Sequence, residues 1–193
     1  MKNVSVGDFV KQHEHLLNGE NPEAIYNQFL ADNKTLVRPE FSIKEDDRKV
    51  LAILMRKFNP KTVVETGTND GGATVLMALN SDAYFYTIDM GTKYGYPEDG
   101  VPAQIDSDAQ GRAFRNTRLA HRITVINEST FNIKATEFPP VDMWFVDSDH
   151  SFKTVEHETN LAIENKFHKG GVIVYHDARK GLPYESDVYK FLE

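Results

Sequence analysis

Short apolar runs alternate with segments of helical periodicity from residue 62 onward. Runs rich in β-branched and aromatic residues predict five strands, at residues 62–65, 83–89, 123–127, 141–146 and 171–176. Helices are predicted between them at residues 73–80, 108–120 and 152–165. The fourth and fifth runs are almost continuously apolar, which is typical of strands covered on both faces. The alternation therefore predicts an α/β fold with a parallel sheet and right-handed crossovers.

Apolar positions before this alternation predict a separate helical segment. They form two groups separated by residues 19–22: Phe9, Val10, Leu16 and Leu17, then Ile25, Phe29 and Leu30. We expect residues 1–40 to form a helical N-terminal extension that is either a lid over a site or a contact to a partner in a homo-oligomer. Residues 41–193 would form the main domain. A capping-box pattern from Ser42 to Glu45 predicts the start of its first helix.

The segment after the first strand carries two glycines four positions apart, Gly67 and Gly71. Glycines let a backbone turn sharply and approach a ligand closely, and a following helix offers free N–H groups to it. The spacing is neither the dinucleotide fingerprint G-x-G-x-x-G nor a P-loop. Considered alone, the loop is also compatible with an ordinary strand-to-helix turn. Glu65, at the end of the strand, adds a hydrogen-bond acceptor.

Polar residues follow all five predicted strands. In order they are Glu65 with the glycine loop, Asp89, residues 127–129, residues 147–150, and His176 with Asp177. Because ligands of parallel sheets bind beyond the carboxyl ends of the strands, we expect these side chains to share one site. Asp89 follows Glu65 by 24 residues. At this separation an acid ending the second strand reaches the hydroxyls of a bound ribose.

The last two strand ends bring three carboxylates and two imidazoles to this edge. They belong to Asp147, Asp149, His150, His176 and Asp177. Such an oxygen-rich set suits Mg²⁺ or another divalent cation, which lowers the pKa of a hydroxyl that it binds. Helix capping is the alternative interpretation of Asp149 and His150, because a predicted helix begins directly after them.

Composition and charge narrow the range of partners. The chain has 193 residues, of which 40% are hydrophobic and 26% charged, which suits one globular domain with a core. A net charge of −7 argues against nucleic acid as a partner. The absence of cysteine excludes disulfides and thiolate chemistry. Without an apolar signal or spanning segment, we expect a cytoplasmic protein with a small-molecule substrate and no membrane contact.

The motifs together resemble the class I S-adenosylmethionine-dependent methyltransferases. Within this class they are similar to small-molecule O-methyltransferases of the catechol and caffeoyl-CoA type and to methyltransferase family 24. The resemblance is carried by residues 63–72, 86–89, 122–129, 142–152 and 170–177. It implies a Rossmann-like, doubly wound, mainly parallel sheet with helices on both faces. It also implies S-adenosylmethionine as the methyl donor.

The resemblance also implies roles for individual residues. Cofactor-binding roles fall on Glu65, Gly67, Thr68, Gly71, Asp89, Glu128, Ser129 and Asp147. Of these, Glu65, Gly67 and Gly71 would face the methionine part of the donor. Asp89 would face the ribose, and Glu128 with Ser129 would lie near the adenine.

The same resemblance implies that residues after the fourth and fifth strands activate the acceptor. In metal-dependent members the corresponding positions hold the ion, which makes Asp147, His176 and Asp177 the candidate ligands of Mg²⁺ or another divalent cation. Such relatives usually carry a carboxylate in place of His176. His176 or His150 is therefore the alternative, a general base that deprotonates an acceptor hydroxyl.

The sequence predicts O-methylation of a small metabolite, such as a sugar or a phenol. The acceptor pocket would be built from residues 1–40 and 91–106, with Tyr94, Tyr96 and Phe114 as candidate lining residues. Two alternatives remain open: a cephalosporin-hydroxylase-like enzyme on the same fold, and a non-catalytic donor-binding or scaffold protein. The second is favoured by one departure, since the C-terminal β-hairpin usual in such methyltransferases has no counterpart in this sequence.

Overall fold

A computed structural model describes residues 5–35, 37, 43–90, 110–165, 170–178 and 185–193. Within these ranges the α-helices are α1 (Val6–His13), α2 (Pro22–Asp32), α3 (Glu45–Phe58), α4 (Gly72–Leu79), α5 (Phe152–Glu164) and α6 (Glu185–Leu192). The strands are β1 (Thr62–Thr66), β2 (Tyr84–Asp89), β3 (Ile123–Asn127), β4 (Met143–Val146) and β5 (Val172–Tyr175). Single 3₁₀ turns lie at Glu14–Leu17, Ala120–Arg122, Thr130–Asn132 and Ala135–Glu137.

The five strands form one sheet in the order β3-β2-β1-β4-β5, and every pair is parallel. The predicted α/β class and parallel sheet are confirmed, and each strand end lies within two residues of its predicted position. The chain steps outward from β1 to β2 and β3, then returns to the other side of β1 as β4. Sheets of this type bind ligands in the crevice beyond the carboxyl ends of the two strands that flank such a reversal, which here are β1 and β4.

Helices cover both faces of the sheet, as the Rossmann-like prediction requires. On one face, Val63, Phe85 and Phe145 pack with the buried residues of α3 and α4. On the other face, Val64 and Trp144 pack with apolar residues of α5. Because successive side chains of a strand point to opposite faces, one almost continuously apolar run supplies both layers.

The N-terminal segment is helical, as predicted, and packs on the first of these layers. Tyr26 and Phe29 of α2 are buried in the same cluster as Met55 of α3. Leu17 is buried against Ala52 and Ile53 of α3. The segment is thus part of the hydrophobic core. The division of the chain at residue 40 stays a prediction.

Two local predictions are wrong. The described part of the expected helix at 108–120 forms turns, since Gly111 has a φ of +66° and its N–H donates to Asn69 O at 2.7 Å. Ala113 N–H likewise donates to Asp70 O at 3.0 Å, and the remaining bonds of the segment are short-range turn bonds such as Phe114 N–H to Gly111 O. The capping box is also wrong, because α3 begins at Glu45 with Lys44 in the N-cap position.

Several predictions fall outside the described residues. The expected acceptor-pocket segment 91–106, with Tyr94 and Tyr96, is among them, as is Ser42. Phe114 is described and is buried, with its ring against Gly71 and Gly111, which is a packing role. None of the described helices is long and apolar enough to cross a membrane.

Candidate active site

The glycine loop lies directly against the end of β4. Gly67 has a φ of +90°, and a Cβ added to it would lie 2.1 Å from the backbone oxygen of Asp147. Its N–H donates to Ile88 O at 2.8 Å, which also holds it to β2. Gly71 has a φ of +84°, and a Cβ there would lie 2.5 Å from the Phe114 ring. Both positions therefore require glycine, for conformation and for space.

Glu65 lies beneath this loop and is only 1% exposed. Its Oε2 accepts hydrogen bonds from the hydroxyls of Thr74 and Thr87, the latter at 2.7 Å. Thr68 joins the same network, because its Oγ1 lies 2.7 Å from Oγ1 of Thr87. Burial raises the pKa of Glu65 to about 8, although these two hydrogen bonds oppose the shift. Glu65 thus connects β1, β2 and the start of α4.

The expected ribose and adenine residues follow neighbouring strands. Asp89 Oδ2 accepts a hydrogen bond from the N–H of Asn69 at 2.8 Å, which brings the end of β2 onto the glycine loop. The register pairs Asp89 with Asn127, so Glu128 and Ser129 follow the adjacent strand. Oε1 of Glu128 accepts from the N–H of Ser129 at 2.9 Å. The cofactor roles of these residues stay predictions.

Asp147, His150, His176 and Asp177 form a compact cluster after β4 and β5. One ligand atom from each lies within 4.8 Å of the others, and all four residues are partly buried. Nδ1 of His176 is 2.9 Å from Oδ1 of Asp147 and 3.2 Å from Oδ2 of Asp177. Nε2 of His150 is 2.9 Å from Oδ2 of Asp177. The structure thus brings together all the predicted metal and general-base residues.

The charges of this cluster depend strongly on one another. Burial raises the pKa of Asp147. Burial would lower the pKa of His176, but the surrounding carboxylates, led by Asp147 and Asp177, outweigh it and raise this pKa to about 12. Asp177 likewise raises the pKa of His150, while the two imidazoles hold the pKa of Asp177 far below its usual range. In the absence of a cation, Asp177 and the two imidazoles therefore stabilise one another's charged forms.

Asp149, the fifth candidate at this edge, supports the start of α5. Its carboxylate accepts from the N–H of Ser151 at 3.0 Å and from the hydroxyl of Thr154 at 3.1 Å. Ser151 is the N-cap of α5, because its Oγ accepts from the N–H of Thr154. Asp149 therefore supports the start of α5 from two residues before the N-cap, whereas the His150 ring faces Asp177 instead.

Two acidic residues at this edge were missed from sequence. Asp47, in the first turn of α3, has its Oδ2 3.5 Å from Nε2 of His176. Glu158 of α5 is fully buried and accepts from the hydroxyls of Thr66 at 2.7 Å and Ser148 at 2.6 Å. Acidic residues on a predicted helix are usually solvated, so neither had a local signal.

A family model described as a methyltransferase domain matches residues 64–178. These residues make up more than half of the chain and include β1, the glycine loop and the charged cluster. The chain belongs to this family. The predicted class I, S-adenosylmethionine-dependent methyltransferase type is therefore confirmed. No curated protein sequence matches the methyltransferase significantly.

Solved structures of methyltransferases share its fold at low sequence identity. An SAH-bound methyltransferase of Podospora anserina is 12% identical with a TM-score of 0.63, and the match covers 100% of this chain and 87% of that one. An O-methyltransferase of Streptomyces achromogenes, involved in tomaymycin synthesis and bound to SAM, is 14% identical with a TM-score of 0.58 over 98% and 86%. A Bacillus cereus O-methyltransferase in complex with SAH is 16% identical with a TM-score of 0.56 over 97% and 86%.

Proposed function

We propose that this methyltransferase transfers the methyl group of S-adenosylmethionine to a hydroxyl oxygen of a small metabolite, such as a sugar or a phenol. The contact between Gly67 and Asp147 carries the proposal, because it joins the glycine loop to the charged cluster at one crevice. A donor on the loop and an acceptor at the cluster would then be neighbours. The O-methyltransferases of similar fold that bind SAM or SAH support the same reaction.

Positioning is the main contribution of the chain to this reaction. Asp89 would accept from the ribose hydroxyls, and the glycine loop would let the methionine part approach the backbone. Methyl transfer needs sulfur, methyl carbon and acceptor oxygen in line, and holding them so removes much of the entropic barrier. Glu65 and Glu158 bond on opposite faces of the sheet, to Thr87 of β2 and to Thr66 just before the loop, and would hold the end of β1 in place for this task.

The charged cluster would activate the acceptor. One oxygen or nitrogen atom from each of Asp147, His176 and Asp177 lies as close to the others as the ligands of one metal ion do. These residues therefore fit a divalent cation. Such a cation, when bound, lowers the pKa of a hydroxyl that it coordinates. His150 would take the hydroxyl proton, with Asp177 orienting its ring from 2.9 Å.

Donor binding tests the first half of the proposal. Calorimetry on the full chain should show micromolar affinity for S-adenosylmethionine and for its demethylated product. Asp89→Ala should weaken both at least about tenfold, since a charged hydrogen bond contributes about 1.5–3 kcal/mol. Asp82→Ala, an exposed acid before the same strand, should bind normally. Absence of binding by the wild-type protein would overturn the proposed function.

Turnover tests the second half. Methyl transfer from labelled donor should be measured across a panel of sugars and phenols, and Asp147→Ala or a chelator should then lower the rate on a responsive acceptor. Full activity in chelator would favour a histidine base without an ion. An iron requirement with oxygen consumption would favour the hydroxylase alternative, and donor binding without any turnover would favour a scaffold.

A further inference from the structure

The two ring nitrogens of His176 face different carboxylates. Nδ1 points toward the crevice, with Asp147 and Asp177 at 2.9 and 3.2 Å. Nε2 points toward α3, where Oδ2 of Asp47 lies at 3.5 Å. The ring also contacts Phe145 edge to face, with 6.2 Å between centroids. His176 is therefore held on both sides.

The Nδ1 atom of His176 lies between two carboxylate oxygens, at the spacing of neighbouring ligands around a metal ion. It is buried and forms no hydrogen bond among the described residues, although two carboxylate oxygens lie at hydrogen-bonding distance. Neighbouring ligand atoms of an octahedral ion with bonds of about 2.1 Å are about 3.0 Å apart. The separations of 2.9 and 3.2 Å around Nδ1 match that spacing.

We propose that Asp147, His176 and Asp177 bind a first-row transition-metal ion such as Mn²⁺, Fe²⁺ or Co²⁺ in preference to Mg²⁺, and that Asp47 positions His176 for it. The inference deepens the proposed function and rests on it, because the ion would lie where the acceptor hydroxyl is expected. Mg²⁺ is held by oxygen ligands and keeps much of its water. An imidazole ligand favours the softer transition metals.

Asp47 completes an arrangement common around metal-bound histidines. Such a histidine usually directs its second ring nitrogen at a carboxylate, which sets the tautomer and strengthens the ligand. A cation would displace the proton from Nδ1, and Asp47, facing Nε2, would keep the remaining ring proton on that nitrogen. The adjacent Asp46 is exposed and has no role in this arrangement, so it provides a matched control.

Metal selectivity tests the ligand set without any activity measurement. The metal-free full chain is titrated with Mn²⁺, and the free ion is followed by electron paramagnetic resonance with Mg²⁺ as competitor. Mn²⁺ should bind on the order of 100-fold more tightly than Mg²⁺. His176→Asp, which makes the ligand set all-carboxylate, should reduce that ratio at least about tenfold. Equal affinities in the wild type, or an unchanged ratio in His176→Asp, would overturn the ligand assignment.

The same titration tests Asp47. Asp47→Asn should lose about 10–100-fold in Mn²⁺ affinity, the usual effect of removing an outer carboxylate, while Asp46→Asn should bind as the wild type does. Asp47→Ser is a second variant in case the first does not fold, and circular dichroism verifies both. An Asp47 variant that folds and matches Asp46→Asn would refute the positioning role.

Donor calorimetry on the same preparations separates this inference from the proposed function. Binding of S-adenosylmethionine without transition-metal selectivity would reject only the metal inference. Selective metal binding without donor binding would instead reject the proposed function.

Discussion

Glu65 illustrates how a predicted ligand-facing residue also acts as internal support. Its carboxylate is buried under the loop and shared between Thr74 and Thr87. Burial raises its pKa to about 8 from a usual value of 4.5, so the folded protein holds this proton where the unfolded chain releases it. Stability contributed by the neutral form is full below the unfolded pKa and is lost as the pH rises toward 8.

Replacing this carboxyl by an amide should therefore flatten the pH dependence of stability. Relative to the wild type, Glu65→Gln should become progressively more stable between about pH 5 and about pH 8, at up to about 1.4 kcal/mol per pH unit. Urea unfolding across this range measures the free energy of unfolding. Glu164→Gln, an exposed acid on α5, should follow the wild type at every pH. A difference in the free energy of unfolding that stays constant with pH would contradict the raised pKa of Glu65.

Helix α5 holds the strand ends together through one side chain. The two oxygens of Glu158 accept from Thr66 at the end of β1 and from Ser148 after β4. Burial raises the pKa of Glu158 to about 7 against the lowering effect of these hydroxyls and that of Thr130. The contact between Gly67 and Asp147 lies between these two attachment points. Glu158 is therefore a positioning residue for the crevice.

Variants of Glu158 should show whether stability and donor affinity depend on the hydrogen bonds of this side chain or only on its size. Glu158→Leu leaves the buried hydroxyl of Thr66 and the partly buried hydroxyl of Ser148 without this acceptor and should lower the free energy of unfolding by about 2–4 kcal/mol. Its donor affinity should fall at least about tenfold, because the glycine loop loses a support. Glu158→Gln keeps an acceptor and should recover most of both quantities.

Urea unfolding and donor calorimetry provide the two measurements for Glu158. Glu156→Leu, at an exposed position of the same helix, is the matched control. If Glu158→Leu folds and binds the donor as tightly as the control does, the residue has no positioning role.

Arg56 of α3 joins the N-terminal segment to the end of α4. Its guanidinium donates to Leu17 O at 3.1 Å and to Oδ1 of Asn80 at 2.9 and 3.0 Å, and it pairs with Glu20. One side chain thus links the N-terminal segment, α3 and the end of α4. The N-terminal segment is therefore held both by these polar contacts and by the burial of Tyr26 and Phe29 in the core.

Arg56→Ala should loosen the N-terminal segment while leaving the site at the carboxyl ends of the strands intact. The lost hydrogen bonds to buried acceptors should cost about 1–3 kcal/mol of unfolding free energy. Limited proteolysis followed by mass spectrometry should show faster cleavage around residues 14–20, with donor affinity unchanged. Lys11→Ala, an exposed change in α1, should leave the cleavage rate as it is. An unaltered cleavage pattern in Arg56→Ala would show that apolar packing alone holds the segment.

The sequence by itself determined the five strands of the sheet and that the candidate site residues follow them at one edge. Strands that are covered on both faces need continuous apolar runs, so β4 and β5 were visible as such. Glycines at Gly67 and Gly71 and the acids that end the strands carry local signals, because turn geometry and polarity are properties of a few neighbouring residues. Parallel pairing then brings the strand ends to one edge, and this inference needs no coordinates.

Tertiary structure alone decided which helical residues reach that edge. Glu158 meets Thr66 across 92 positions of sequence, and Asp47 meets His176 from a helix before the first strand. Similarly, the chain turns at Gly111 where the N–H groups of Gly111 and Ala113 bond to Asn69 and Asp70 of the glycine loop. A helix shows equivalent polar positions on its whole exposed surface, so periodicity cannot distinguish a solvated acid from one that packs on a site. Only the packing of α3 and α5 on the sheet makes that choice.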